Sequence, residues 1–185
     1  MTTPAPAPVA ATPAAALDAH HPAAEKLRRR MLSPFWMRSF FLAKLPLAWM
    51  AGLRVRSLDR QSCTTTVPYG WRTTNPFRST YFAAQAMAAE LSTGALAMLA
   101  TELAPRPVAM LIVGLEATFE KKATGLTAFT CEAGSEIFAA VAHTLETSEP
   151  ATVRAETVGR APDGNVVARF AFTWSFKRRE KPSRP

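Results

Sequence analysis

Apolar and polar positions divide the chain into a helical first part and a strand-rich remainder. Residues 25–50 place apolar side chains at helical spacing among basic ones, which predicts an amphipathic helical segment. Residues 52–58 and 62–69 alternate as the two strands of a hairpin that turns near Asp59. From Ser79 to Leu103 there is no proline, and Glu90 and Glu102 are the only charged side chains. This segment is apolar on every side, so we predict a long helix buried within the domain.

The second half of the chain returns to strand-like patterns. Strands are predicted at residues 108–120, 123–131, 151–159 and 166–176, with a short helix from Gly134 to about Thr147. The last strand places Phe170, Phe172 and Trp174 on one face. A single apolar helix needs cover on most of its circumference, and a long twisted antiparallel sheet can provide that cover. We therefore predict an α+β fold in which one antiparallel sheet wraps around a central buried helix.

Composition predicts how the 185 residues are divided. The first 24 residues contain ten alanines and five prolines and resemble neither a packed segment nor a secretory signal. We predict a disordered tail at 1–24, the amphipathic helical segment at 25–50, one domain at 51–178 and a basic tail at 179–185. Without a targeting signal in this stretch, a cytoplasmic location is the default expectation.

The formal net charge of +8 is concentrated near the two ends of the sequence. One basic cluster runs from Lys26 to Arg30 and the other from Lys177 to Arg184. Solvated ends are the commonest explanation, and an acidic partner, a phosphate-bearing ligand or an anionic membrane are the alternatives. No signature of nucleic-acid recognition accompanies them. A basic helix could also lie on a membrane, but we expect residues 25–50 to pack against the domain instead.

Cysteine and histidine give little indication of redox or metal chemistry. Cys63 and Cys131 fall in predicted strands, so we expect reduced thiols in the core. No Cys-His spacing suits zinc, and we predict neither a metal nor a cofactor. His143 lies in the later predicted helix, away from Glu90, which argues against an acid–base pair of the kind that acyl-thioester hydratases use.

Glu90 is the strongest candidate for chemistry. It is a single carboxylate among small apolar residues in the middle of the predicted helix, where burial should raise its pKa and suit it to act as a general base or nucleophile. A structural glutamate satisfied by a buried arginine or by backbone amides is equally compatible with the composition. The backbone amides at the helix start, near Tyr81, could stabilise an anion, but they lie about 13 Å from Glu90 along the helix. An antiparallel pair of helices in a homodimer would bring the two together.

Several motifs resemble one known superfamily. They are Asn75-Pro76-Phe77, Tyr81-Phe82-Ala83-Ala84, Ala89-Glu90-Leu91-Ser92-Thr93-Gly94 and the terminal Trp174-Ser175-Phe176-Lys177. In these segments the chain resembles hot-dog-fold thioesterases of the phenylacetate-pathway (PaaI-like) type. From about residue 45 to residue 176 it looks closest to the branch catalogued as domain of unknown function 4442. The resemblance implies a hot-dog fold with an N-terminal helical extension and an acyl-thioester substrate.

The resemblance also implies roles for individual residues. PaaI-like thioesterases place a Gln or Asn fifteen residues before a catalytic Asp or Glu, and Asn75 and Glu90 match this spacing. Glu90 would then activate water or attack the thioester, while Asn75 positions the water or the carbonyl. The His-Gly-Gly that lies between them in the family is Tyr81-Phe82-Ala83 here. The Tyr81 hydroxyl would replace the histidine as a donor, and Phe82 and Ala83 would supply the oxyanion site.

Further residues are expected to contact the substrate. Lys121 and Lys122 end a strand where hot-dog enzymes often bind the phosphates of coenzyme A, and Arg78 and Arg154 are further candidates. The remaining expected contacts are Phe77, Met87 and Thr93. The expectation is a thioesterase for acyl-CoA or acyl-carrier protein with an apolar acyl or aryl group, active as a dimer or a dimer of dimers. The alternative is a non-catalytic module that binds acyl thioesters or lipids in the same groove.

Overall fold

Prolines divide the N-terminal helical segment into three helices. The structure, a computed structural model, describes residues 22–179. Helices α1 (Pro22–Leu32), α2 (Pro34–Lys44) and α3 (Pro46–Ala51) follow one another directly. Each begins with a proline, whose fixed φ and missing N–H suit the first turn of a helix. The Ser33 side chain caps α2 by accepting a hydrogen bond from the Trp36 amide, and Gly52 ends α3 in the left-handed conformation with φ of 74°.

The predicted tails differ from the structure at one boundary. Helix α1 begins at Pro22, so residues 22–24 are helical although the sequence predicts them within a disordered tail. Ala24 is buried against the domain, which explains why the helix extends this far. The predictions for residues 1–21 and 180–185 lie outside the described residues.

Six strands form one antiparallel sheet. The strands are β1 (Arg54–Leu58), β2 (Cys63–Val67), β3 (Val108–Phe119), β4 (Thr127–Cys131), β5 (Ala151–Arg160) and β6 (Val166–Arg178), in the order β1-β2-β4-β5-β6-β3. Helix α4 (Phe82–Glu102) lies between β2 and β3, and α5 (Gly134–Thr147) lies between β4 and β5. Every predicted strand and helix of the domain is present. Strand β4 begins at Thr127 rather than at residue 123, because the Ala123 carbonyl accepts hydrogen bonds from Thr80 ahead of α4.

Helix α4 is the core of the domain. Ala88, Ala95 and Ala97 on this helix have no exposed surface, and such small side chains let the strands approach the helix closely. The Thr65 hydroxyl of β2 donates to the Ala88 carbonyl at 2.6 Å, and the Trp174 indole N–H of β6 donates to the Thr93 hydroxyl at 3.0 Å. Among the described helices, α4 alone is long and apolar enough to cross a membrane, and here it is mostly buried inside the protein. The predicted α+β arrangement of a sheet around a central helix is confirmed.

Strand β3 forms an edge of the sheet and is poorly covered. Its strand partner within the described residues is β6, with Leu115 opposite Phe172 and Ala117 opposite Phe170. Directly opposed residues share a face of the sheet, so Leu115 lies on the same face as the buried Phe172. Leu115 is nevertheless 54% exposed, and Phe119, further along the strand, is 52% exposed. The concave face of the sheet thus extends beyond the part that α4 covers.

The two cysteines are neighbours in the core. Cys63 of β2 lies directly opposite Cys131 of β4, and both are free, fully buried thiols, as predicted. Burial raises the pKa of Cys131 to about 11 and raises that of Cys63 further. Both groups therefore stay protonated and unreactive near neutral pH.

Candidate functional site

Two cavities open beside α4 at different heights. One, of about 430 Å³, lies at the start of the helix, and we call it the loop cavity. The other, of about 280 Å³, lies two turns further along the helix beneath the corner between α2 and α3, and we call it the Glu90 cavity. Residues 75–77, 79–80 and 119–123 form most of the loop cavity. Most of the sequence-predicted site residues line one of these two cavities, and three line neither.

Asn75 organises the loop that forms the first cavity. Its Oδ1 accepts hydrogen bonds from the backbone amides of Phe77 and Ser79, at 3.0 and 3.1 Å, and its Nδ2 donates to the Ser79 hydroxyl. These bonds hold a tight turn in which Arg78 adopts a left-handed conformation with φ of 57°. An Asn side chain commonly stabilises a turn by bonding the backbone a few residues ahead. The polar atoms of Asn75 are thus engaged within their own loop.

The first turn of α4 presents unpaired backbone donors. Tyr81 precedes the helix with φ of −58° and ψ of 136°, and no side chain caps the helix. The amides of Ala84 and Gln85 donate to the Tyr81 carbonyl, whereas within the described residues the amides of Phe82 and Ala83 have no acceptor. Together with the helix dipole, these two donors favour a negative charge at the start of α4, where Phe82 lines the loop cavity and Ala83 follows it outside the lining.

Gln85 is a site residue that the sequence reasoning missed. It is 5% exposed and lines the loop cavity. Its Nε2 donates to the Thr80 carbonyl at 3.0 Å, while its Oε1 is buried without a hydrogen-bond partner among the described residues. An amide side chain in an otherwise apolar helix was the available signal. A buried polar atom without a partner is uncommon in native structures and often accompanies function.

The Glu90 cavity is apolar except for Glu90 itself and Lys44 on the opposite side. The carboxylate of Glu90 shares its walls with Met87 and Leu91 of α4 and with Leu53. The other side is formed by the end of α2 and the start of α3, at residues 41 and 44–48. Burial raises the pKa of the Glu90 carboxyl group above its ordinary value of 4.5. Neither a basic side chain nor a backbone amide within the described residues hydrogen-bonds this carboxylate. The alternative of a structural glutamate with its hydrogen bonds satisfied therefore does not describe these residues.

Gly94 makes room for the carboxylate. The Oε1 atom of Glu90 lies only 2.9 Å from the position that a Cβ atom on Gly94 would occupy. Residues four apart lie one above the other on a helix, so the Glu90 side chain folds along the helix over the glycine. Any larger residue at position 94 would therefore displace the carboxylate.

The structure separates the predicted site residues into three groups. Those on the loop cavity are Asn75, Phe77, Tyr81, Phe82, Lys121 and Lys122. Glu90 and Met87 line the Glu90 cavity. Arg78, Ala83 and Thr93 line neither, and the Thr93 hydroxyl is engaged with the Trp174 indole and the Glu90 carbonyl. One chain alone does not bring the two cavities together, because about 13 Å of helix separates Tyr81 from Glu90.

The predicted cationic residues are held in different ways. Lys122 Nζ donates to the Phe77 carbonyl at 3.2 Å, and Lys121 Nζ donates to Asn165 Oδ1 at 2.9 Å. Both ammonium groups remain exposed at the rim of the loop cavity. Arg154 instead forms salt bridges with Glu116 and Glu156 on the sheet surface. The two lysines are thus the better placed of these groups to meet an anionic ligand.

Comparisons with known proteins show the family and the fold of the chain. The family described as Domain of unknown function (DUF4442) matches residues 36–176, which is more than half of the chain. The chain belongs to this family. No curated protein matches the sequence.

Solved structures share the fold at low sequence identity. One is the Pseudomonas aeruginosa protein PA5026, described as a probable thioesterase, with 19% identity, a TM-score of 0.65 and coverage of 81% of this chain and 99% of that one. Another is a mutant of thioesterase PA1618 from the same organism, with 14% identity, a TM-score of 0.59 and coverage of 83% and 99%. The Escherichia coli PaaI protein of the phenylacetic acid degradation operon has 12% identity, a TM-score of 0.52 and coverage of 83% and 96%. This DUF4442 chain therefore has the hot-dog fold.

Proposed function

We propose that this DUF4442 protein is a thioesterase that hydrolyses a thioester of coenzyme A or acyl-carrier protein with an apolar acyl or aryl group. The observation that carries the proposal is the Glu90 carboxylate, which has a raised pKa and no hydrogen-bond partner in the described residues at the wall of an apolar cavity. Thioesterases among the solved structures of the same fold support the reaction class.

The chemistry assigns one task to each cavity. The Glu90 carboxylate takes a proton from water as the water oxygen attacks the thioester carbonyl carbon. The negative charge that develops on the carbonyl oxygen is stabilised by the amides of Phe82 and Ala83. The C–S bond then breaks, the thiol leaves with the proton, and a carboxylic acid remains. Direct attack by Glu90 would give an anhydride that water hydrolyses to the same products.

A second copy of the chain completes the site in this proposal. The separation of about 13 Å along α4 prevents one chain from offering both Glu90 and the helix start to one carbonyl. The uncovered concave face of β3, with Leu115 and Phe119, offers a place for the α4 of a partner. Two antiparallel helices would set Glu90 of one copy against the first turn of the other, and a two-fold axis would form two such sites.

One observation favours the second candidate, a module that binds acyl thioesters without cleaving them. Phe82 is 55% exposed and contacts the Tyr81 ring edge-on, with ring centroids 4.9 Å apart. These side chains crowd the helix start that PaaI-like enzymes keep open with glycines. If they block the approach of the carbonyl, the protein would bind the thioester and leave it intact.

Thiol release from a panel of short-chain, long-chain and aryl acyl-CoAs tests the proposal. We expect Glu90→Gln to lower kcat by about 100-fold or more, because it removes the proton acceptor and keeps the shape. Glu102→Gln is the matched control, since it makes the same change on the same helix at an exposed position outside both cavities. Absence of release from the wild type, with retained acyl-CoA binding by calorimetry, would establish the binding module instead.

The pH dependence adds an independent check. The rate should rise with pH through the raised pKa of Glu90, because only the carboxylate accepts a proton. Stability should change in the opposite direction. The unfolded state ionises near 4.5 and the folded state at higher pH, so the free energy of unfolding falls between these two values as pH rises. Glu90→Gln should therefore remove this loss and melt no lower than the wild type near neutral pH.

A further inference from the structure

The three N-terminal helices carry an excess of positive charge, with six basic residues and one acidic residue, Glu25, between Pro22 and Ala51. From Lys26 to Arg56 the sequence has eight basic residues and no acidic one. The other fourteen basic residues are equal in number to the fourteen acidic residues of the chain. Because these fourteen include the second basic cluster at Lys177 to Arg184, α1, α2, α3 and the start of β1 hold one of two concentrations of positive charge.

Helix α2 packs with one side only. Met37 and Phe41 are buried against the domain, as the sequence predicts for this segment. Phe35, Arg38 and Leu42 recur at spacings of three and four residues on the outward side, where Phe35 is 83% and Leu42 58% exposed. An outward face that combines large apolar side chains with a cation is typical of helices that lie at a membrane interface.

The exposed apolar surface continues onto the turn between α2 and α3. The Arg38 guanidinium lies 5.8 Å from the centre of the Trp49 ring, which joins the outer sides of the two helices. We call the exposed apolar side chains here the outer patch, and they are Phe35, Leu42, Leu45, Leu47 and Met50. Each is at least 45% exposed. Several exposed large apolar side chains on adjoining helices, with Arg38 and Lys44 among them, are typical of an interaction site.

We propose that the outer patch docks on an anionic lipid bilayer. Its apolar side chains would enter the boundary between headgroups and acyl chains, and Arg38 and Lys44 would meet the lipid phosphates. A second copy of this chain is a poorer occupant, because it would bring the same excess of positive charge to the contact. The inference is independent of the thioesterase proposal, since it concerns a surface and not a reaction.

Docking would also determine where the Glu90 cavity opens. Leu45 and Leu47 of the outer patch are part of its wall, and Lys44 lies beside them. A docked protein would hold this wall at the level of the lipid headgroups. If the thioesterase proposal also holds, the preferred acyl groups would be long enough to enter the cavity from the bilayer.

Vesicle flotation with the full-length protein tests the docking. The probes are vesicles of phosphatidylcholine alone and vesicles in which phosphatidylglycerol replaces about a third of it. We expect the wild type to float with the anionic vesicles only, and to do so less as salt rises. The double variants Phe35→Ser/Leu42→Ser and Arg38→Gln/Lys44→Gln should each lower the bound fraction at least about tenfold.

Leu126→Ser is the matched control for loss of an exposed apolar side chain, because Leu126 is 44% exposed and lies outside the outer patch. Circular dichroism melts should be unchanged in all variants, since every substituted side chain is exposed. Binding that neither double variant weakens would overturn the proposal. It would equally be overturned if the wild type failed to float, or if Phe35→Ser/Leu42→Ser dissociated an oligomer and left vesicle binding unchanged.

Discussion

The two cavities beside α4 differ in how their polar groups are satisfied. In the loop cavity, Asn75 forms three hydrogen bonds within its own loop, and both lysines at the rim have partners. In the Glu90 cavity the Glu90 carboxylate has no such bond within the described residues, and Lys44 is the only other charged residue in a lining that is otherwise apolar. The first arrangement stabilises the backbone around it. The second raises a pKa, which costs folding free energy and gives a group prepared to accept a proton.

This difference separates residues that build the site from residues that react. Beside the two cavities, four groups have no hydrogen-bond partner among residues 22–179: the Glu90 carboxylate, the Gln85 Oε1 and the amides of Phe82 and Ala83. These groups can still form hydrogen bonds to a ligand, whereas the Asn75 side chain already forms its bonds within the loop. Substitutions at the unpaired groups should therefore lower activity more than stability, and substitutions at Asn75 should lower stability more than activity.

The largest effect expected from the loop cavity comes from its backbone donors. Phe82→Pro removes the Phe82 N–H, and Tyr81 already has the extended conformation that a residue before proline adopts. The helix should tolerate proline at this first position, so stability changes little. Loss of one oxyanion donor should lower kcat by about 10² to 10³. Phe82→Ala, which keeps the N–H, is the matched control in the same thiol-release assay.

Mixed dimers show whether the two cavities act together across subunits. A dimer of one Glu90→Gln chain and one Phe82→Pro chain has one site with both defects and one site with neither. Such a dimer should recover about half of the wild-type rate, although each parent dimer is nearly inactive. Recovery that never exceeds the sum of the parents would show that Glu90 and the helix start do not share a site.

Gly94 offers a smaller and more selective change. A Cβ atom at this position meets the Glu90 carboxylate at 2.9 Å but contacts Trp174 only at an ordinary 3.5 Å. Gly94→Ala should displace the carboxylate and lower kcat by about tenfold or more, since small misplacements of a reacting group are costly. Because alanine favours a helix interior over glycine by about 0.5–1 kcal/mol, the melting temperature should hold or rise. In a Glu90→Gln background the same change should have no further effect on kcat, which a double-mutant cycle measures.

The sequence predicted the fold better than the site because the two depend on different information. Hydrophobic period and turn residues place α4 and each strand, since a helix apolar on every side needs a sheet around it. The spacing of Asn75 and Glu90 was visible too, but spacing does not tell where side chains point. That the Asn75 amide turns into its own loop depends on the tight turn around Arg78, which only the assembled backbone shows.

Two features of the site were beyond the sequence for physical reasons. The corner between α2 and α3 closes the Glu90 cavity because Pro46 redirects the chain there, and composition does not indicate which surface a short helix covers. The unpaired Oε1 of Gln85 results from a rotamer that directs its amide nitrogen to Thr80. The sequence shows that residue 85 is a glutamine, but it does not show that the Oε1 atom lacks a hydrogen-bond partner.

The smallest effect on kcat is expected at Asn75, whose side chain stabilises the loop of the first cavity. Asn75→Ala removes the acceptor for the Phe77 and Ser79 amides and should lower the free energy of unfolding by about 1 kcal/mol. Asn75→Asp keeps a carboxylate oxygen as the acceptor and should lose less stability. Below the melting transition, both variants should retain kcat within a few-fold, because the side chain mainly stabilises the loop.

The resemblance to PaaI-like thioesterases assigns Asn75 the positioning of water or the carbonyl instead. In that case both variants would lose about 100-fold in kcat while folded, and thiol release beside urea unfolding decides between these roles.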